Sequence, residues 1–203
     1  RSSEFREFLK QLIVKLKSVF LTDQYLHILT TSGTGALEAS VLNFCSPGDK
    51  VLYINQGRFG ERWGAICKAH CLNTSELTIP YGNAASINEL TQLDLTSFDI
   101  VLLTHTETST ATLTDVKKIT GYIKEHSKAL VIVDAVTSVG AIEFRMDDWD
   151  IDVAVSASQK GLMTQPGLAV IAYSQKAKEK MTANSMNRFF FDLRKELKSA
   201  EDG

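Results

Sequence analysis

The chain has 203 residues, a formal net charge of −2, and 44% hydrophobic and 23% charged residues. That balance suits a globular domain with a sizeable core, and it gives no support to a nucleic-acid binder, which would carry a basic excess. No apolar run approaches the roughly 18 residues of a membrane helix, and the opening "RSSEFREFLKQL" is charged and helical rather than a signal peptide, so a cytoplasmic protein off the membrane is expected.

The first expected element is a helix. Residues 4–20 place Phe5, Phe8, Leu9, Leu12, Ile13, Leu16, Val19 and Phe20 at steps of three and four, an amphipathic pattern. Short apolar strands then alternate with helices. The strand segments are 25–30, 51–55, 74–79, 99–103, 129–133, 151–155 and 168–173; the helical ones are 34–44, 58–70, 86–93, 114–126 and 175–183. Several strands are near-continuous apolar runs, as in strands buried on both faces. The alternation predicts a three-layer α/β fold, a mostly parallel seven-stranded sheet with helices on both faces. Too little chain separates the last two strands for a crossover helix, so the final strand is expected to run antiparallel. No repeat or low-complexity segment interrupts the single domain expected over 1–203. The tail "FFFDLRKELKSAEDG" reads as the start of a further element, and Phe189, Phe190 and Phe191 are too apolar to stand without a partner surface.

Cys45, Cys67 and Cys71 are odd in number, which speaks for thiols in a reducing compartment rather than a disulfide framework. Cys67, His70 and Cys71 are close in sequence, but no second Cys/His cluster completes a tetrahedral site, so no metal is expected.

In open α/β sheets, ligands sit beyond the carboxyl ends of the strands. After the first strand comes Ser32-Gly33-Thr34-Gly35, a glycine turn opening a helix, which can cradle a phosphate or serve only as a strand-to-helix turn. It is a partial match to the dinucleotide fingerprint: Glu38 takes the third glycine position, and Asn55 stands where a ribose-gripping acid would end the second strand. Phe59, between Gly57 and Gly60, can stack on a flat ligand or fill the core. Thr104 to Thr110 is rich in hydroxyls, suited to a polar ligand or to turns. His105 within it is a candidate base or a structural histidine. Asp134 follows Leu130–Val133 directly and faces a burial cost unless it meets a cation or donors. Lys160 ends the strand "VAVSASQK" with no charged neighbour for several residues on either side; a desolvated lysine is a usable nucleophile. Together, a phosphate cradle, an aromatic plate, a hydroxyl cluster, a buried carboxylate and an activated lysine describe the complement of pyridoxal 5'-phosphate (PLP).

The stretches "TTSGTGALEASVLNFCSPGDKVL", "NQGRFGERWG", "THTETSTATL", "VIVDAVTSVGAIEF" and "SASQKGLMTQPGLAVIAYS" resemble the class V PLP-dependent aminotransferases, most of all the alanine–glyoxylate and serine–pyruvate branch. The resemblance implies that Lys160 holds PLP covalently and serves as general base, and that Asp134 pairs with the ring nitrogen. It implies that Val136 and Phe59 pack on the two ring faces, that Ser32, Gly33 and Thr34 hold the phosphate with help from Gln159, and that Thr108 reaches the phenolic oxygen. Relatives often carry Trp or Tyr at the place of Phe59 and Ser at that of Thr108. The implied activity is ping-pong transfer of an amino group from a small amino acid of the alanine or serine type to a 2-oxo acid such as glyoxylate or pyruvate, in a homodimer. Full family members are nearly twice as long, so this chain is expected to be their large cofactor domain, without the N-terminal segment and the C-terminal domain. A lyase of the cysteine desulfurase type and a non-catalytic domain of the same fold are the alternatives. Such lyases usually show a histidine directly before the lysine, where Gln159 stands.

Overall fold

Ser2 opens the first helix, α1 (Ser3–Phe20): its Oγ accepts from the Phe5 amide at 3.3 Å, and Leu21 closes the helix in the left-handed region at φ 50°. The computed structural model describes residues 2–201, with side chains through residue 198; Arg1, Asp202 and Gly203, at the ends of the expected 1–203 domain, lie outside the described residues. Then follow β1 (Tyr25–Leu29), α2 (Gly33–Phe44), β2 (Lys50–Asn55), α3 (Arg58–Ala69), β3 (Asn73–Thr78), α4 (Ile87–Leu90) and β4 (Ile100–Thr104). A hairpin of β5 (Thr106–Glu107) and β6 (Thr112–Leu113) leads to α5 (Val116–His126), β7 (Leu130–Asp134), β8 (Val153–Ala157), β9 (Ala169–Tyr173), α6 (Gln175–Ala183) and α7 (Leu193–Glu201).

Seven strands form one sheet in the order β1-β9-β8-β7-β4-β2-β3. The pairs from β3 to β8 are parallel, and β9 alone runs against both its neighbours, as the short connection from β8 requires. Alternation sorts the strand residues into two cores. Leu52, Ile54, Val101, Leu103, Val131 and Val133 pack with α1, α4 and α5 on one side. Val51, Ile100, Leu102, Ile132, Val153 and Val155 pack with α2, α3, α6 and α7 on the other. These are the three layers expected from the sequence.

Three details depart from the expected elements. The helix at 86–93 contracts to the turn Ile87–Leu90, begun by a Ser86–Glu89 capping box and followed by an Asp94-capped 3-10 turn at Leu95–Ser97. The strand at 151–155 starts two residues later because Asp150 turns at φ 51° and Asp152 bonds sideways: its carboxylate accepts from the Val131 amide at 2.8 Å and pairs with Lys124. The tail forms α7, and Phe191 packs back on the first turn of α2, 3.3 Å from where a Cβ on Gly35 would stand. No helix among the described residues is long and apolar enough to cross a membrane.

Candidate active site

The register pairs Thr104 with Asp134 and Asp134 with Val155, so the carboxyl ends of β4, β7 and β8 lie side by side. By alternation with Leu102, Ile132 and Val155, residues Thr104, Asp134 and Ala157 face the α2–α3 layer. The N-terminus of α2 reaches the same place. A Cβ on Gly33 would stand 3.3 Å from the Ala157 Cβ and 3.3 Å from a Val136 methyl, so the glycine lets the helix start close against both. Ser32 caps α2 through its Oγ, which accepts from the Gly35 amide at 3.1 Å; the amides of Gly33 and Thr34, at the helix start, have no acceptor within the helix.

The aromatic plate is fixed by a residue the sequence had hidden among hydroxyls. Glu107, fully buried in the hairpin, accepts from the amides of Phe59 at 3.0 Å and Gly60 at 3.1 Å with one oxygen. Its other oxygen accepts from the Ser109 amide at 3.2 Å and the Ser109 hydroxyl at 2.6 Å. Ser109 Oγ in turn accepts from the Arg58 amide at 3.0 Å. A carboxylate thus caps the start of α3, where the helix dipole favours it. Gly57 is needed beside it, since a Cβ there would come within 2.5 Å of Glu107 Cγ. Gln56 ties the base of the wall, donating to Thr104 O at 3.2 Å and Thr114 Oγ1 at 2.6 Å. One sequence signal pointed to Glu107: it is the sole acid in a run of uncharged residues at a strand end, as Lys160 is the sole lysine in its own.

Asp134 is 4% exposed, and among the described residues its carboxylate accepts one hydrogen bond, from the Val136 amide at 3.0 Å. Burial pushes its carboxyl up to about 6; the Val136 amide and the Arg62 charge work against that rise, and Glu107 adds to it. Phe59 and Val136 are half-buried, and Thr108 is exposed on the hairpin.

Lys160 departs from the expectation of a desolvated amine. Its side chain is exposed, as is that of Gln159, because the strand ends at Ala157 and the chain turns outward at once. Ser158 closes that turn: its amide donates to Leu168 O at 2.9 Å, and its carbonyl accepts from the Thr164 amide at 2.8 Å. Gly161 allows a close backbone approach. A Cβ on it would lie 2.2 Å from Val139 O, and one on Gly140 would lie 2.8 Å from Gly161 O, so the lysine turn is pressed against the turn that follows Asp134.

The other residues weighed from sequence lie outside this arrangement. His105 is buried against Phe144 and Trp149, and desolvation lowers its pKa to about 4, which makes it a neutral structural histidine. Asn55 donates to Glu76 at 2.7 Å, and the ring of His70 meets Glu38 at 2.9 Å. Two recesses, about 610 Å³ beside Tyr53 and Glu76 and about 810 Å³ beside Phe98 and Lys124, lie away from the strand ends described here.

The family model described as "Aminotransferase class-V" matches residues 1–191. The chain belongs to the class V aminotransferase family. It is 36% identical over 96% of its length to an L-aspartate–glyoxylate aminotransferase of Paracoccus denitrificans, covering 50% of that protein. It is 40% identical over 98% of its length to a protein named "Soluble hydrogenase, small subunit" of a Synechococcus strain, covering 53% of it. The solved alanine–glyoxylate aminotransferase from a Nostoc species superposes with a TM-score of 0.93 at 28% identity, over 98% of this chain and 54% of that one. The chain therefore spans about half the length of the curated relatives it matches.

Proposed function

We propose that this chain is the large, cofactor-binding domain of a PLP-dependent aminotransferase that moves an amino group from a small amino acid of the alanine or serine type to a 2-oxo acid such as glyoxylate or pyruvate. The observation that carries the reading is the packing of Gly33 on Val136 and Ala157, which brings the α2 amides, the Asp134 turn and the strand leading to Lys160 to one place. The residues fit the cofactor: free helix-start amides suit a phosphate, and a buried carboxylate with one donor suits a cationic ring nitrogen. Glyoxylate in the names of the Paracoccus and Nostoc proteins supports a 2-oxo acid acceptor. The Synechococcus name points elsewhere, but among the described residues no group of three or more His, Cys, Asp or Glu could hold a metal ion, and the residues that do converge are those above.

PLP, when bound, supplies an electron-accepting ring and an aldehyde that condenses with amines. Ser32, Gly33 and Thr34, with Gln159, would hold its phosphate, Phe59 and Val136 its ring, and Thr108 its phenolic oxygen. Asp134 would keep the ring nitrogen protonated, and Lys160 Nζ would be the covalent anchor and the base for the substrate Cα proton. Its exposure suits an amine that must trade places with substrate. The exposed Phe189 (84%) and Phe190 (72%), beside the Phe191 that packs on α2, support a homodimer interface next to the cradle. Three unpaired cysteines support a cytoplasmic setting.

The test is to saturate the folded chain with PLP and record its spectrum. We expect a near-visible band that borohydride bleaches and that Lys160→Ala lacks. A folded sample without that band, or a band unchanged in Lys160→Ala, overturns the reading.

A further inference from the structure

The cradle at the start of α2 is built of neutral donors, the Ser32 hydroxyl and the first helical amides. The helix end adds only about half an elementary charge, well short of a phosphate dianion. A cation stands beside it. Arg62 is half-buried on α3, three residues after Phe59. Its Nη1 donates to Thr34 Oγ1 at 3.0 Å, and its guanidinium carbon lies 4.6 Å from the centroid of the Phe59 ring.

Both partners are neutral. Among the described residues no carboxylate pairs with Arg62, and the buried Glu107 nearby has its oxygens taken by amides and a hydroxyl. The guanidinium is therefore oriented by contacts that leave its charge uncompensated, at the junction of cradle and plate. Beyond those two contacts, the guanidinium faces a helix start of like partial charge. An anion between them resolves the conflict.

We propose that Arg62 is the counter-charge of the cradle, a specificity-determining residue that makes the site take phosphorylated pyridoxal in preference to the unphosphorylated form. This rests on the PLP reading above. Against the rise that burial imposes on the Asp134 carboxyl, the Arg62 charge acts to lower it.

The test compares PLP and pyridoxal by absorbance titration of the wild-type chain, Arg62→Gln and Arg62→Lys, each checked for folding by circular dichroism. We expect Arg62→Gln to weaken PLP roughly 10- to 100-fold, the range of a lost charge-assisted hydrogen bond, with pyridoxal changed less than about 2-fold and Arg62→Lys in between. Inorganic phosphate should compete with PLP on the wild type and lose potency on Arg62→Gln. Equal losses for the two ligands would show that Arg62 only props Phe59, and no loss would show an idle surface arginine; either overturns the proposal. If the wild-type chain binds both ligands with no dependence on Lys160, the PLP reading itself fails, a result distinct from a changed ratio.

Discussion

Two carboxylates are buried at this site, and they are treated in opposite ways. Glu107 receives four hydrogen bonds from the start of α3 and from Ser109. Asp134, one strand away, receives one. A carboxylate with all its lone pairs engaged is a building element: it fixes the Phe59 plate and has nothing left for a ligand. A carboxylate left short of donors in a dry setting is costly to the fold and available to a cation. On the proposed reading, the difference separates the residue that positions the site from the residue that would work in it.

The sharpest way to break this comparison is Glu107→Ala. It strands the Phe59 and Gly60 amides at a buried helix start and opens a space in the hairpin wall. At 1–3 kcal/mol per unmet buried donor we expect a loss of about 3 kcal/mol, or roughly 6–12 °C in the unfolding midpoint of a chain this size, with weaker PLP binding as the plate loosens. A loss under about 1 kcal/mol in urea unfolding would mean that water replaces the carboxylate and that Glu107 is not the scaffold.

Asp134→Asn should have the opposite sign. Burial raises the carboxyl from 3.8 to about 6, so the folded chain holds this proton more tightly than the unfolded chain, and ionised Asp134 costs stability above about pH 6. Asn keeps an oxygen for the Val136 amide and removes the charge. We expect it to gain about 2 kcal/mol at about pH 8, with the gain vanishing as the pH falls through 6 toward 4, while PLP binds more weakly. His27 and His105 act against it. Desolvation lowers both to about 4, so the unfolded chain binds their protons first and the fold loses stability as the pH falls from 6.5 toward 4. With two groups against one, acid should destabilise the wild type, and Asp134→Asn should steepen that decline. Equal stability of the two proteins at every pH would show that Asp134 is ionised at no cost.

What the sequence made legible follows the same division. Period and apolar runs placed the seven sheet strands and the antiparallel β9, because those patterns are local and their cause is burial on both faces. They also marked Asp134 and Lys160 as candidates, because a lone charge after an apolar run stands out. Glu107 did not stand out as a scaffold, since its partners are backbone amides of a helix 48 residues away, which no side-chain pattern records. The 106–107/112–113 hairpin left no sequence signal, because strands of two residues leave no period to count. The closeness of Gly161 to Val139 exists only in three dimensions. The exposure of Lys160 was missed for the reason that burial of a strand says nothing about the residue three places past its end.

The smallest effect probes how rigid the Glu107 wall is. Ala111 joins β5 to β6 with φ 55°, a conformation that costs a residue with a Cβ about 1 kcal/mol or more, and its side chain is exposed, so nothing is lost by removing it. Ala111→Gly relieves that cost but adds freedom to the unfolded chain. We expect a net gain of about 0.5 kcal/mol, read as a rise of roughly 1–2 °C in midpoint. If Glu107 alone fixes the hairpin, PLP affinity will stay unchanged, because the four hydrogen bonds already hold Ser109 and the start of α3 at Phe59 whatever the turn prefers. A shift in PLP affinity larger than the stability gain would mean that the turn, and not the carboxylate, sets where the wall stands.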